Sequence, residues 1–103
     1  MSIVVALEDL VGEVDRRGPG YLLTTTVGGR PHVMHQRFTV AGSTLTTGAG
    51  RTASRNIGDE PAVTLLWPPE EPGGYSLVVD GTAEVVDQRV IVTPLHAVLH
   101  RPA

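Results

Sequence analysis

Leu7, Leu10, Val11 and Val14 recur at helical spacing among Glu8, Asp9, Glu13 and Asp15, a pattern that predicts one amphipathic helix. Gly18-Pro19-Gly20 ends it. From Tyr21 the chain turns to β-branched runs: a strand from Tyr21 to Val27, a Gly28-Gly29 turn, and a second strand from Pro31 to Val40. Ala41-Gly42 turns the chain into a third strand, Ser43 to Thr47. A glycine loop and a short helix over Ala53 to Gly58 come next. Strands over Ala62 to Trp67 and Tyr75 to Val86 follow, separated by PPEEPGG, and Asp87-Gln88 leads to a last strand, Arg89 to Thr93. Six short strands with one inserted helix predict a closed or nearly closed barrel, because closure removes exposed edges.

A chain of 103 residues implies one domain, residues 1–103, whose core is modest enough that self-association is expected. The formal charge of -3 and the lack of any basic run interleaved with aromatics argue against nucleic acid as a partner. Without cysteine there is neither a disulfide framework nor thiolate chemistry. MSIVVALEDL has no basic start and meets an acid by Glu8, so it does not read as a signal peptide. No apolar run approaches the roughly 18 residues of a membrane span. The expectation is a soluble, cytoplasmic protein with no membrane partner.

The chemistry concentrates in TTGAGRTASRNIGDEP, from Thr46 to Pro61. Glycines let backbone N–H groups approach an anion, and a following helix N-terminus adds favourable partial charge. The segment has no lysine, so anion binding would rest on Arg51 and Arg55. The alternative is an ordinary tight connection. Metal is not expected: His32 and His35 point to opposite faces of a strand, and His96 and His100 would share a face only if Thr93-Pro94 opened a short helix. Trp67 suits either a ring-stacking role or the core and dimer interface. With no Gly-x-Ser-x-Gly elbow, no hydrolytic site emerges.

Taken in order, YLLTTTVGGRPHV, TLTTGAGRTASRNIGDEPAVTLLW and YSLVVDGTAEVV resemble the pyridoxamine 5'-phosphate oxidase-like, FMN-binding split β-barrel family. The resemblance spans nearly the whole chain after the first helix. It implies a mainly β fold, a six-stranded Greek-key split barrel with an N-terminal helix and a short helix between strands 3 and 4. It also implies a homodimer whose two cofactor sites lie at the subunit interface, with FMN or the deazaflavin coenzyme F-420 as cofactor.

Carried over by position, the cofactor phosphate would lie among Thr46, Thr47, Gly48, Arg51, Thr52 and Arg55, with the strand from His32 to Phe38 near the ring. Family members commonly carry, before the Asn and Pro, a basic pair or a lysine three residues before the Asn that contacts the cofactor phosphate; here that position is Ala53, preceded by Thr52, and Arg51 and Arg55 would replace the charge. Where the vitamin oxidases proper have an Arg and then a Lys, this chain has Met34 and Thr39, which argues against that enzyme. Those oxidases also continue into a segment bearing substrate-binding Arg and His, echoed here only by His100-Arg101. The resemblance would therefore build a small-molecule substrate pocket from barrel loops and the partner chain. Two readings follow: a flavin- or deazaflavin-dependent oxidoreductase whose chemistry is the cofactor's, or a non-catalytic dimeric module that binds a flavin or another small ligand or has lost cofactor binding. No catalytic side chain is singled out.

Overall fold

The computed structural model describes residues 1–26 and 28–102. Val27, the expected end of the first strand, and Ala103 lie outside the described residues. The elements are β1 (Ser2–Val5), a 3-10 turn (Leu7–Asp9), α1 (Leu10–Arg17), β2 (Gly20–Thr25), β3 (Pro31–Gln36), β4 (Thr39–Ala41), β5 (Thr44–Gly48), α2 (Arg51–Asp59), β6 (Ala62–Trp67), β7 (Ser76–Val86) and β8 (Arg89–His100). The strands join one antiparallel sheet in the order β3-β2-β6-β7-β8-β5-β4, with β1 added alongside β8. The sheet is mainly β, curled and split, with an N-terminal helix and a second helix, as expected.

The strand count is eight rather than six. Ser2–Val5 pairs with Ala97–His100, a long-range contact that no local pattern announces. The expected Pro31–Val40 strand breaks at Arg37-Phe38, where Phe38 turns inward and packs against Trp67 with ring centroids 5.2 Å apart. That break carries the chain across the split between the two ends of the sheet. Two bonds close the gap: Thr47 Oγ1 donates to the Arg37 carbonyl at 2.9 Å, and Gln36 Nε2 to the Gly48 carbonyl at 3.5 Å.

No helix opens at Thr93-Pro94; the chain stays extended to His100. Pro94 lacks an N–H and is tolerated mid-strand because it sits at a bulge. Asp80 pairs with His96 and Gly81 with Pro94, leaving Leu95 as the extra residue. Gly81 is needed opposite this crowding: a Cβ there would lie 2.5 Å from the Thr93 carbonyl oxygen and 3.2 Å from Pro94 Cα.

The core holds Leu22, Leu45, Leu65, Leu77, Val79, Val90 and Val92, all alternate residues of their strands, with Trp67 fully buried among them. Trp67 is thus a core residue, and its indole N–H donates to the Gly18 carbonyl at 3.0 Å. α1 commits only Leu10 and Val14 to the core, leaving its Val11 and, in the preceding 3-10 turn, Leu7 each 42% exposed. At its C-terminus Arg17, with 5% of its side chain exposed, donates to the Tyr75 carbonyl at 2.7 Å and lies 3.6 Å from Glu13, pinning the β6–β7 connection.

Candidate functional site

β5 alternates. Leu45 and Thr47 are buried, while Thr44 and Thr46 are half-buried on the opposite face and Gly48 is exposed. Thr46 and Thr47 therefore cannot offer both hydroxyls to one ligand. Thr47, 2% exposed, spends its hydrogen on the Arg37 carbonyl, a bond that closes the split. Thr46 accepts from Arg89 Nη2 at 3.1 Å on the outer face.

After Gly48 the chain enters α2, which begins at Arg51, two residues before the expected start. Gly50 is the N-cap, extended and with no side chain to satisfy the first-turn N–H groups. Gly50 packs near Met34, whose Cε would be 3.4 Å from an added Cβ, so the loop runs along the inward side of β3. Ala53, Asn56 and Ile57 form the buried stripe of α2, spaced at i, i+3 and i+4. Thr52 is half-buried, and Arg51 and Arg55 are exposed on the other face. Ala53 is fully buried, so the family's lysine position faces the core here.

The chain's 8 basic residues are all arginine. Among the described residues, ion pairs form only at Arg16 and Arg17, with Glu13 and Glu70. Arg51, Arg55, Arg37 and Arg89 thus have no carboxylate partner. Sequence reasoning singled out the first two. Arg89 was missed because only strand pairing brings it to the glycine loop, as the Cα partner of Gly48, and Arg37 because it lies in the break between β3 and β4, its carbonyl accepting from Thr47.

On β3, His32 and Met34 face inward and His35 outward, as alternation requires, which separates the two histidines. His35 stacks on Tyr21 with centroids 5.0 Å apart. His32 Nδ1 is buried without a hydrogen-bond partner. His100 meets Ser2 Oγ at 3.1 Å and His96 pairs in register with Asp80. Among the described residues no group of acidic and histidine side chains is arranged to hold a metal, and no helix is long and apolar enough to cross a membrane.

No protein-family model matches the chain. It is 48% identical over 61 residues to uncharacterized proteins of Mycobacterium bovis and Mycobacterium tuberculosis, a match covering 52% of this chain and 42% of each relative. The chain thus spans less than half the length of these relatives. Its fold superposes on solved structures at low identity. The FAD binding protein from Mycobacterium smegmatis matches with a TM-score of 0.71 at 16% identity, over 98% of this chain and 100% of that one. An F-420 reductase matches with a TM-score of 0.63 at 24% identity, over 92% and 93% of the two chains. A Clostridium acetobutylicum protein of the pyridoxine phosphate oxidase family, related to general stress protein 26, matches with a TM-score of 0.71 at 12% identity, over 94% and 91%. With the split between β3 and β5 and the helix that follows β5, these likenesses give the chain the split-barrel fold of the pyridoxamine 5'-phosphate oxidase-like proteins.

Proposed function

We propose that the chain binds a phosphorylated flavin or deazaflavin, FMN or coenzyme F-420, and works with it as an oxidoreductase on a small molecule. One observation carries the reading: Arg51 and Arg55 stand without acidic partners on the exposed face of α2, whose N-terminus is uncapped and flanked by glycines. First-turn N–H groups and guanidinium forks suit the same ligand, a phosphate. The surroundings fit such a group. Gly48, two residues before the N-cap, leaves open space where a Cβ would point. The bound ring would supply hydride transfer, and the chain's own residues would bind and orient it.

A second copy would complete the site. A continuous row crosses the outer face of the sheet through the paired residues His35, Tyr21, Leu66, Val78, Val98 and Val4. Beside it Val33 is 54% and Leu95 63% exposed. An apolar sheet face of this extent is expected to be covered, and a homodimer with interface cofactor sites covers it.

The buried Ala53 favours a second reading, a dimeric split-barrel module that binds a small ligand without catalysis, because one phosphate-binding position of the family has been given to the core. Titration with FMN and riboflavin, followed by flavin fluorescence, tests the first reading. FMN should bind tighter, and Arg51→Ala or Arg55→Ala should weaken FMN by about ten- to a hundredfold, the equivalent of a charge-assisted bond of roughly 1.5 to 3 kcal/mol, while sparing riboflavin. A wild type that binds both flavins equally overturns the phosphate site. Binding without reduction of the flavin by any electron donor supports the module instead.

A further inference from the structure

We propose that the gap in the barrel wall between the 3-10 turn and the β4–β5 hairpin is a binding site for a small amine with a compact apolar body, separate from the glycine loop and independent of the flavin reading. One edge of β8 pairs with β5 at residues 89–92 and with β1 at residues 97–100. Between them, at residues 93–96, that edge meets no strand among the described residues. The bulge at Leu95 takes this stretch out of regular register, and Pro94 has no N–H for a strand to accept. The chain leaves β1 through the 3-10 turn instead, which packs against β8 and runs on into α1. That detour leaves a cavity of about 350 Å3, inside the roughly 300 to 1,000 Å3 of small-molecule sites.

Leu10 and Leu45, 4% and 1% exposed, form its floor, and Leu7, Val11, Val40 and Pro94 its walls. Helical spacing puts Leu7 and Val11 on one stripe with Leu10 and Val14, yet both stand half in water. The apolar stripe is wider than the core it meets, and the cavity is the difference. An apolar body lodged there removes from water the surface that the fold leaves wet.

Glu8 is the one charged side chain lining the cavity among the described residues, and it makes no ion pair. Thr44 spends its hydroxyl hydrogen on the Ala41 carbonyl at 2.9 Å. An acid without a counter-ion, beside a hydroxyl already committed as donor, complements a cation that donates hydrogen bonds. Because Glu8 is exposed, its charge selects rather than holds, contributing about two- to fivefold. The cavity lies at the Thr44 end of β5, whereas the glycine loop follows Gly48 at the other end.

The test is amide chemical-shift titration of the 15N-labelled chain with cyclohexylmethylamine, cyclohexylmethanol and cyclohexanecarboxylate at neutral pH. The amine should shift the amides of residues 7–11, 43–45 and 93 saturably, with a dissociation constant on the order of 1 mM. The alcohol should bind the same place about two- to fivefold more weakly, and the carboxylate more weakly still. Glu8→Gln should erase the preference for amine over alcohol and leave the alcohol within about twofold. Leu7→Trp, which fills the mouth from an exposed position, should weaken both by at least about tenfold with the remaining spectrum unchanged. The site is overturned if those amides do not move, if the carboxylate binds as well as the amine, or if Glu8→Gln keeps the preference. A Leu7→Trp chain whose mass in light scattering falls below that of wild type assigns the cavity to a second copy and overturns the amine site as well.

Discussion

Asn56 on α2 donates from Nδ2 to Thr24 Oγ1 on β2 across 3.0 Å, and each residue is only 2% and 1% exposed. The bond fastens the helix that carries Arg51 and Arg55 to the sheet, so it sets where the helix N-terminus stands. Asn56→Ala should destabilise the fold by about 1 to 3 kcal/mol, because Thr24 is left buried without its donor. Thr24→Val should cost a similar amount, and the double variant should fall short of the sum by at least about 0.5 kcal/mol. Urea unfolding of the four proteins measures the coupling; strict additivity would mean that the bond contributes nothing of its own.

Two glycines should respond to alanine with opposite signs. Gly81→Ala drives a Cβ to 2.5 Å from the Thr93 carbonyl oxygen, backbone that can yield only by opening the β7–β8 bulge. A loss of about 1 to 3 kcal/mol is expected. Gly58, inside α2 with nothing within 4 Å of an added Cβ, should gain about 0.5 to 1 kcal/mol from the same change. Thermal midpoints moving in the same direction would contradict one of the two assignments, Gly58 if both fall and Gly81 if both rise.

Arg17 holds the β6–β7 connection through the Tyr75 and Pro68 carbonyls, at 2.7 and 3.4 Å, and faces Glu13. Arg17→Met keeps much of the apolar stem and removes the donors, so the loss reports on the bonds rather than on packing. A decrease of about 1.5 to 3 kcal/mol is expected. Amide exchange in residues 68–75 should quicken more than in β7 itself; uniform quickening would show that the arginine serves global stability alone.

The apolar row on the outer sheet predicts the assembly. Val78→Glu places a charge at its middle without touching the core, since Val78 faces away from buried Leu77 and Val79. Wild type should run at twice the mass of the 10.9 kDa chain in light scattering at micromolar concentration, and the variant should shift toward the single-chain mass with its circular dichroism unchanged. A wild type found only as the single chain would remove the interface from the proposal.

Much of this architecture is written locally. The helical spacing of α1, the β-branched runs of β2, β6 and β7, and the Asp87-Gln88 turn, whose residues adopt positive φ of 49° and 64°, each follow from neighbours a few positions away. The glycine loop and the arginines beside it were legible for the same reason. β1 was not, because a strand of four residues becomes one only on pairing with residues nearly the whole chain away. Nor was the break at Arg37-Phe38, where an unbroken strand pattern yields to the burial of Phe38 against Trp67. Periodicity along the chain identifies an element's faces, but only the folded sheet decides which face meets the core. That choice buried Thr47 and Ala53, turned Thr46 outward, and set Arg89 opposite Gly48.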